Sequence, residues 1–559
     1  MDAECNLLNE VAWDFEKLTS FEIVPVPEKR GYVRDGTFVS NAPLSQSETP
    51  YTRSGVSKPI YFNRNLQWRK SCNMEISNIR HIVKTNGLCG AYSGVLNYSN
   101  CADIDTRDCT LFARKCQVSS RSKYDLVLAT SVNMRFANIE TNDLHDRNRW
   151  GVMQSNYCKD VLFENCSMNR IDAHQGIYNL TVKDCTLGVH ALTLTGMGTL
   201  NVSGTTFYSD HLMTLRFDYG STWRGDAHFT DCALIYNGVY AEKVFNYALQ
   251  FDADGGLHDY GYDCHIPNLY IDNLTVDNRN RTENTDLNVL YNWDASALTK
   301  TPPDYWPREM ILNGVRFVND EQLSRKPTVK LIANPAEGLN GNYVVTDIRF
   351  HLDGEDGDDI TRDLRGETTY ETDRPVCVTA TENHSAENRI SLYRDGAAVF
   401  EESVLQGTYQ ETLREPRLYR FVVKSSETKK GASGETAWEF RIAGNASESA
   451  INAVILPEDG QEPLSEIPKG SFRVQAEISS GAIDVTGASL WFAGYRQEGK
   501  LLELQSQEVS DSLSVAFSVE NREGRIQNAK LFLLSEEFVP FCALADIGQA
   551  RNAGFINAA

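Results

Sequence analysis

One short motif recurs through the first three-fifths of the chain and limits what the chain can fold into. Each copy places apolar residues at every second position, then Asn, Asp or Gly, then a small or apolar residue. The alternation predicts a strand with one buried face. Asn, Asp and Gly tolerate a left-handed backbone, so each strand is expected to bend there and continue on a new side. The bend positions are Asn78, Asp108, Asn138, Asn165, Asp184, Gly204, Asp231, Asn273 and Gly314.

The spacing of these bends predicts a solenoid. Consecutive bends are separated by as few as 19 residues, from Asn165 to Asp184, and by as many as 42 residues, from Asp231 to Asn273. A constant motif with variable spacing is typical of stacked coils that share their strands and differ in their loops. The shortest repeat is then the minimum coil, and the longer repeats carry insertions.

Together these segments resemble the right-handed parallel β-helix of the pectate-lyase-like superfamily, which includes polysaccharide lyases, glycoside hydrolases and phage tailspikes. The segments Gly36–Val39 and Trp150–Val161 are also similar to segments of bacterial β-helix carbohydrate-active proteins. The resemblance implies a poly- or oligosaccharide as the partner. It does not select one enzyme family, because a solenoid does not dictate a reaction.

Beyond about residue 320 the motif gives way to short alternating strands, and Ile390–Phe400 is typical of a hairpin with Asp395 and Gly396 at its turn. The polar stretch Gly444–Ala450 separates a second set of strands. The predicted fold class is therefore all-β, a right-handed parallel β-helix followed by two β-sandwich domains. The predicted boundaries are residues 1–325 for the β-helix, 326–443 for an immunoglobulin-like β-sandwich and 444–559 for a second, accessory β-sandwich.

Charge and length exclude some partners. A formal net charge of −22 over 559 residues argues against binding to a nucleic-acid backbone or to an anionic membrane surface. The sequence has no apolar run of the ~20 residues that a membrane-spanning helix needs, and no signal peptide. We expect a cytoplasmic protein, or a cell-surface or extracellular one if the chain is a piece of a longer precursor.

Four of the 13 cysteines directly follow a bend at an inward position, which predicts small buried residues in an internal stack. The alternative is a disulfide between Cys166 and Cys185 on consecutive coils. No spacing of Cys and His predicts zinc, and no cofactor is expected. The acidic run Asp353–Asp359 has the composition of a calcium loop but not its register, which favours a solvated turn with calcium as the alternative. The four cysteines are Cys109, Cys166, Cys185 and Cys232.

Acidic and imidazole side chains recur at similar distances after consecutive bends. In a parallel solenoid such residues lie on neighbouring coils, roughly 5 Å apart. Glycoside hydrolysis needs two carboxyl groups, and like charges held close together keep one of them protonated. The candidate catalytic residues are Asp143, Asp146 and Asp172, with Asp218 in reserve.

Neighbouring residues are candidates for binding the substrate. Imidazoles would orient the sugar, guanidinium groups would bind hydroxyls or a uronate, and indole rings would stack on the sugar. The alternatives are a polar loop around Asp143 and Asp146, a buried network around Asp172 and indole rings that cap a coil. These candidates are His174, His190, His211, Arg149, Arg170, Arg216, Trp150 and Trp223.

The leading hypothesis is a glycoside hydrolase, because Asp and His outnumber Lys among the candidates. The first alternative is a polysaccharide lyase that removes the proton beside a uronate carboxylate. A second alternative is a non-catalytic glycan-binding, adhesin or phage-tail-like protein, which needs no pair of carboxylates.

Overall fold

The structure is a computed structural model of the whole chain. It describes residues 25–40, 51–53, 56–58, 66–83, 95–111, 124–141, 144–146, 151–155, 157–174, 176–215, 222–236, 249–250, 265–280, 291–292, 307–318, 332–333, 342–354, 356–365, 368–382, 387–425, 434–443, 449–464, 466–480, 488–496, 500–509, 513–534 and 545–547.

The chain divides into two compact units. The first comprises Met1–Asp347, Glu382–Asn388 and Lys424–Glu435, and the second comprises Ile348–Thr381, Arg389–Val423 and Thr436–Ala559. Among the described residues no helix is long and apolar enough to cross a membrane.

The first unit is built from parallel strands, except for the antiparallel hairpin of β2 and β3. Its strands are β1 (Gly31–Ser40), β2 (Tyr51–Arg53), β3 (Val56–Lys58), β4 (Leu66–Arg69), β5 (Cys72–Val83), β6 (Leu96–Ser99), β7 (Ala102–Leu111), β8 (Tyr124–Ala129), β9 (Val132–Thr141), β10 (Gly151–Ser155), β11 (Cys158–Glu164), β12 (Ser167–Ala173), β13 (Ile177–Lys183), β14 (Thr186–Leu194), β15 (Gly196–Ser203), β16 (Thr206–Phe207), β17 (Met213–Leu215), β18 (Trp223–Ile235), β19 (Leu249–Gln250), β20 (Asn268–Asp277), β21 (Tyr291–Asn292), β22 (Glu309–Val318), β23 (Ile332–Ala333) and β24 (Asn342–Thr346).

Each strand pairs in parallel with the strand one coil away, so the unit is a parallel β-helix with three faces. The first face precedes the bend in each coil and runs from β1 through β5, β7, β9, β11, β13, β15, β18, β20 and β22 to β24. The second face follows the bend, from the ends of β1, β5, β7 and β9 through β12, β14 and β16 to the ends of β18, β20 and β22. The third face contains β4, β6, β8, β10, the end of β12, the end of β14, β17, β19, β21 and β23.

The bends lie where the motif predicts them. All nine bend residues have a positive φ, between 50° and 64°. Side-chain amides join them from coil to coil: Asn138 Nδ2 donates to Asp108 Oδ1 at 2.7 Å, and Asn165 Nδ2 donates to Asn138 Oδ1 at 2.7 Å. At Gly204 a β-carbon would stand 2.2 Å from Asp184 Oδ1, so this coil has room only for glycine.

The core of the β-helix is a set of stacked rows. On the first face, one inward-pointing residue of each coil from β5 to β24 pairs with its counterpart in the next coil. All of these residues, which form one row, are almost fully buried. Within it the rings of Phe136 and Phe163 stack with centroids 5.1 Å apart, an arrangement that adds ring contact to area burial. The row consists of Ile76, Thr106, Phe136, Phe163, Val182, Val202, Phe229, Ile271, Leu312 and Val345.

The four predicted inward cysteines are buried and free, as members of the internal stack. The alternative of a bridge between Cys166 and Cys185 is not what the structure has, since both thiols are free and the Cys166 amide donates to Cys185 Sγ at 3.4 Å. Burial raises the pKa of Cys109 and of Cys232 to about 11. These thiols are therefore protonated at neutral pH and behave as small apolar residues.

The second unit begins with two sheets packed face to face. The antiparallel sheet β25–β27–β30 contributes Phe350, whose ring lies 5.6 Å from that of Trp438 and 5.8 Å from that of Phe440 in the sheet β26–β32–β31–β28–β29. The elements are β25 (Ile348–Leu352), a 3₁₀ turn (Asp363–Arg365), β26 (Tyr370–Thr372), β27 (Val376–Thr381), β28 (Asn388–Arg394), β29 (Ala397–Val404), β30 (Thr408–Leu413), β31 (Leu418–Ser425) and β32 (Gly434–Ile442).

A second pair of sheets follows, β33–β34–β37 and β36–β35–β38–β39. Their facing side chains form one apolar core, in which the rings of Phe492 and Phe517 are 5.9 Å apart. The strands are β33 (Ser449–Pro457), β34 (Gly470–Ser480), β35 (Ser489–Tyr495), β36 (Leu501–Glu508), β37 (Ser514–Asn521), β38 (Asn528–Leu534) and β39 (Ala545–Ile547).

The fold class is the one that the sequence predicts, a parallel β-helix followed by two β-sandwiches. The hairpin of β28 and β29 also turns at Asp395 and Gly396, which have φ values of 47° and 77°. The β-helix continues past the predicted boundary at residue 325, since β24 pairs with β22 of the preceding coil. The first strand of the second unit, Ile348–Leu352, follows this last coil after one residue.

The bend column gives a stability prediction at Asn138. Asn138→Ala places an alanine in the left-handed region and removes the hydrogen bonds to Asp108 and from Asn165, so the free energy of unfolding should fall by about 2 kcal/mol. Asn138→Gly keeps the backbone freedom and loses only the hydrogen bonds, about 1 kcal/mol. Denaturant unfolding of both variants checks this, and equal losses would contradict the role of the left-handed bend.

The ion pairs on the outside of the first face give a pH prediction. Hydrogen bonds from Arg135 at 2.7 Å and Lys183 at 3.1 Å hold the pKa of Glu164 below its ordinary value of 4.5. The stabilisation from these pairs is present above the ordinary pKa and is lost as the pH falls through the lowered one. The melting temperature should therefore drop on acidification below about pH 4.5, and should drop less in Glu164→Gln.

The matched control for this measurement is Glu140→Gln. Glu140 is exposed on the next face and has no ion-pair partner among the described residues. Its variant should follow the wild-type acid profile. An acid profile of Glu164→Gln identical to wild type would show that these ion pairs contribute nothing.

Candidate functional site

Four polar side chains meet on the outside of the third face, about midway along the axis of the β-helix. Ile171 and Ala173 of β12 point into the core. Because side chains alternate along a strand, Arg170, Asp172 and His174 project to the other side. There they meet Tyr124, the first residue of β8, two coils earlier. These four residues are called the Asp172 cluster below.

The cluster is a closed set of contacts centred on one carboxylate oxygen. Asp172 Oδ2 lies 2.5 Å from Arg170 Nη2, 2.9 Å from His174 Nε2 and 3.4 Å from the Tyr124 hydroxyl. The Tyr124 hydroxyl is in turn 3.2 Å from His174 Nε2 and 3.4 Å from Arg170 Nη2. Every member therefore contacts Asp172, and three of them contact Tyr124.

Burial and hydrogen bonding set the state of the groups. Asp172 is 0% exposed, whereas the side chain of His174 is 15% exposed. A buried carboxylate with three converging donors is stabilised in its charged form. A carboxylate can only accept a hydrogen bond, so His174 Nε2 carries the proton that faces Asp172 Oδ2, and Nδ1 is the other ring nitrogen. The imidazole is thus the member of the cluster that solvent reaches most readily.

Gly151 lets the strands β8, β10 and β12 lie close together at the Asp172 cluster. Gly151 of β10 has a φ of 65°, and a β-carbon there would lie 2.2 Å from the carbonyl oxygen of Arg170. It pairs with Tyr124 on one side, and the register shifts at the next residue. The coil of β10 lies between those of β8 and β12, and its glycine has no side chain at this point. The side chain of Tyr124 therefore has room to cross this coil and reach β12.

A short segment crosses the outside of the coils beside the cluster. The carbonyl oxygen of Leu144 accepts from Asn169 Nδ2 at 2.9 Å and from the amide of Val189 at 3.0 Å. The carbonyl oxygen of Asp146 accepts from Asn169 Nδ2 at 3.2 Å. Residues 144–146 are therefore tied to the residue that precedes Arg170, and Asp146 lies in the neighbourhood of the cluster.

His211 lies elsewhere, in a separate buried pair. Its Nδ1 is 2.6 Å from Asp210 Oδ1, and the Ser209 hydroxyl donates to the carbonyl oxygen of Val189 at 2.9 Å. All three residues of Ser209–His211 are buried. His190 lies in a bulge of β14, where Met168 and Arg170 pair with Leu187 and Ala191.

The structure brings some of the predicted residues together. Asp172 contacts Arg170 and His174, and the carbonyl oxygen of Asp146 is hydrogen-bonded to Asn169, the residue before Arg170. The side chains of the remaining predicted residues on long loops lie outside the described residues, and their roles stay predictions. These are Asp143, Asp218, Arg149, Arg216 and Trp150.

The pairing of β12, β14 and β17 differs from the predicted alignment of acids and imidazoles on neighbouring coils. Asp172 pairs with Thr193 of β14, and Thr193 pairs with Thr214 of β17. His190 and His211 therefore do not lie alongside Asp172. Counting residues from each bend fails here because β14 contains a bulge, which shifts every later position of its coil.

Trp223 is a second correction. It is 0% exposed, lies in the core and donates from Nε1 to the carbonyl oxygen of Gly198 at 3.1 Å. No sugar ring can stack on it, and it does not cap a coil either, because its ring is part of the core. Tyr124 is not among the predicted residues, because it lies between the bends at Asp108 and Asn138, before the coils that supply the candidate acids and imidazoles, and no local motif marks it.

The comparisons with known proteins are sparse. No profile of a known protein family matches the sequence. No curated protein matches it either. Among solved structures, a double mutant of the tailspike protein of E. coli bacteriophage HK620 is similar, with 9% sequence identity and a TM-score of 0.24 over 68% of this chain and 70% of that chain. A similarity of this size carries no conclusion about activity.

The cluster predicts a large loss of stability on Asp172→Asn. The substitution leaves the guanidinium of Arg170, 9% exposed, without its charged partner. Breaking a buried ion pair on one side costs about 3 kcal/mol, which calorimetry should detect as a lower melting temperature. The control is Asp184→Asn. Asp184 is an exposed bend residue, and Asn tolerates the same left-handed backbone, so this substitution should change stability by less than about 0.5 kcal/mol. Equal effects would contradict the buried ion pair.

Proposed function

We propose that the chain is a carbohydrate-active enzyme that cleaves a uronate-containing polysaccharide by β-elimination at the Asp172 cluster. The observation that carries the proposal is the position of His174 Nε2, 2.9 Å from Asp172 Oδ2 and 3.2 Å from the Tyr124 hydroxyl. This arrangement orients a base with a buried carboxylate and places a phenol beside it as the acid.

The chemistry follows from the protonation states. His174 Nδ1 removes the proton from the carbon beside the uronate carboxylate, and that electron pair forms a carbon–carbon double bond as the bond to the leaving glycosidic oxygen breaks. Tyr124 gives its proton to that oxygen. The proton on His174 Nε2 then passes to the phenolate across 3.2 Å, which restores Tyr124. The ring of His174 returns to its starting tautomer when water takes the proton from Nδ1 and gives one to Nε2.

Arg170 and Asp172 have supporting roles in this proposal. Arg170 supplies a positive charge next to the reacting groups, which favours the negative charge that develops when the proton leaves. Asp172 fixes the tautomer of His174 and stabilises the imidazolium that forms after proton transfer. Asp172 is held as a charged acceptor by three donors, so it is poorly suited to be the general acid of a hydrolase.

Glycoside hydrolysis is the second candidate function. The observation that supports it is the hydrogen bond from Asn169 Nδ2 to the carbonyl oxygen of Asp146, since Asn169 directly precedes Arg170 of the cluster. Hydrolysis would require Asp146, Asp143 or Asp218 as the acid. Membership of the pectate-lyase-like superfamily and an immunoglobulin-like topology for the first sandwich also belong to the proposal.

The test is product formation from a panel of uronate-containing and neutral polysaccharides. Ultraviolet absorbance of the unsaturated product and reducing-end release are measured in parallel. Elimination predicts that both signals rise together on a uronate glycan. We expect His174→Ala and Tyr124→Phe to lower kcat by at least 100-fold, the usual contribution of a positioned acid or base.

The matched control is Tyr157→Phe, an exposed tyrosine at the start of the next coil. It should keep wild-type activity. Reducing ends without absorbance would instead support hydrolysis. Binding of a glycan with no product would support the non-catalytic alternative, and full activity of both cluster variants would show that the reaction takes place elsewhere.

A further inference from the structure

The outside of the first face carries a polar cleft, on a different face of the coil from the Asp172 cluster. It lies across β11, β13 and β15, with a volume of about 450 Å³, and amide and hydroxyl side chains dominate its lining. We infer that this cleft is a second saccharide-binding site, for an uncharged oligosaccharide that crosses the coils. Its polar lining residues are Asn133, Asp160, Asn179, Thr181, Thr199 and Asn201.

The floor of the cleft follows from the strand register. Leu162, Thr181 and Asn201 are in-register partners on β11, β13 and β15. They alternate with the core residues Phe163, Val182 and Val202, so they point outward. The fold therefore presents one apolar, one hydroxyl and one amide side chain in a line, about 5 Å apart.

A second column of left-handed residues holds the amides at the edge of the cleft. Asn133, Asp160 and Asn179 have φ values of 53°, 51° and 58°. Asn179 Nδ2 donates to Asp160 Oδ1 at 2.9 Å, and Asn179 Oδ1 accepts from the amide of Thr199 at 2.9 Å. An amide has two N–H donors and two lone pairs, so Asn179 is fixed in orientation and still has one of each to offer a ligand.

The outward row continues from the cleft to a pair of rings. Asn201 pairs with His228 of β18, and His228 pairs with Tyr270 of β20. The two rings stack with centroids 4.6 Å apart and planes 9° from parallel. Tyr270 is further held by a hydrogen bond to Glu309. From Leu162 to Tyr270 the row crosses five coils, roughly 20 Å.

Charge selects the class of ligand. On the other side of Leu162 the row meets Arg135, which is paired with Glu164 at 2.7 Å. Within the cleft the one carboxylate, Asp160, has Lys159 Nζ at 3.9 Å. The lining therefore offers balanced charge with many neutral donors and acceptors, which matches a hydroxyl-rich, uncharged chain. Aromatic rings beside such groups are typical of saccharide sites.

The experiment measures binding of cellohexaose, mannohexaose and xylohexaose to the full chain by calorimetry. We expect one of them to bind, and Thr181→Val and Asn201→Ala together to weaken that binding at least tenfold. Ser203→Ala, on the same face in the neighbouring outward row, is the matched control and should leave the affinity unchanged. Melting temperatures establish that the variants are folded.

Further variants separate this inference from the proposed function. Asp172→Asn should leave hexasaccharide binding intact, because the cleft lies on another face. His228→Ala should weaken binding severalfold, and His228→Phe should largely restore it. The inference is overturned if none of the three hexasaccharides binds, if the double variant binds as wild type does, or if only uronate oligosaccharides bind.

Discussion

The left-handed bend is the constraint on which the rest of the structure depends. Nine coils turn at an Asn, Asp or Gly with a φ between 50° and 64°, and amides link several of these bends from coil to coil. A left-handed residue costs about 1–2 kcal/mol for most side chains, so the identity of the residue at the bend determines where a coil turns. That position in turn fixes which residues face the core and which side chains lie next to one another on the outside.

Both proposed sites depend on that register. The Asp172 cluster forms because Tyr124, Gly151 and Arg170 lie on three successive strands of the third face. The polar cleft forms because successive coils place Leu162, Thr181 and Asn201 in one outward row. In each case parallel pairing converts positions distant in the sequence into neighbours about 5 Å apart. The solenoid thus offers different chemistry on different faces while its core stays apolar.

The parts that can be predicted from the sequence are those encoded within one coil. The bends, the buried cysteines and the Asp395–Gly396 hairpin each depend on a local pattern, and the structure has all three. The alignment between coils is not local. Because β14 has a bulge at His190, the residue that pairs with Asp172 is Thr193 and not a histidine. Trp223 resembles an exposed loop residue in the sequence, yet the path of β18 directs it into the core.

In the proposed function His174 acts as the base, with Nε2 donating to Asp172 and Nδ1 as the nitrogen that takes the proton from the substrate. Nitrogen-15 NMR of the imidazole rings at neutral pH, with His174→Gln to assign the signals, measures this tautomer directly. The account predicts the Nε2–H tautomer for His174 in the wild type, and a shift of the tautomer balance in Asp172→Asn. A His174 ring protonated at Nδ1 in the wild type, or a spectrum that Asp172→Asn leaves unchanged, would contradict it.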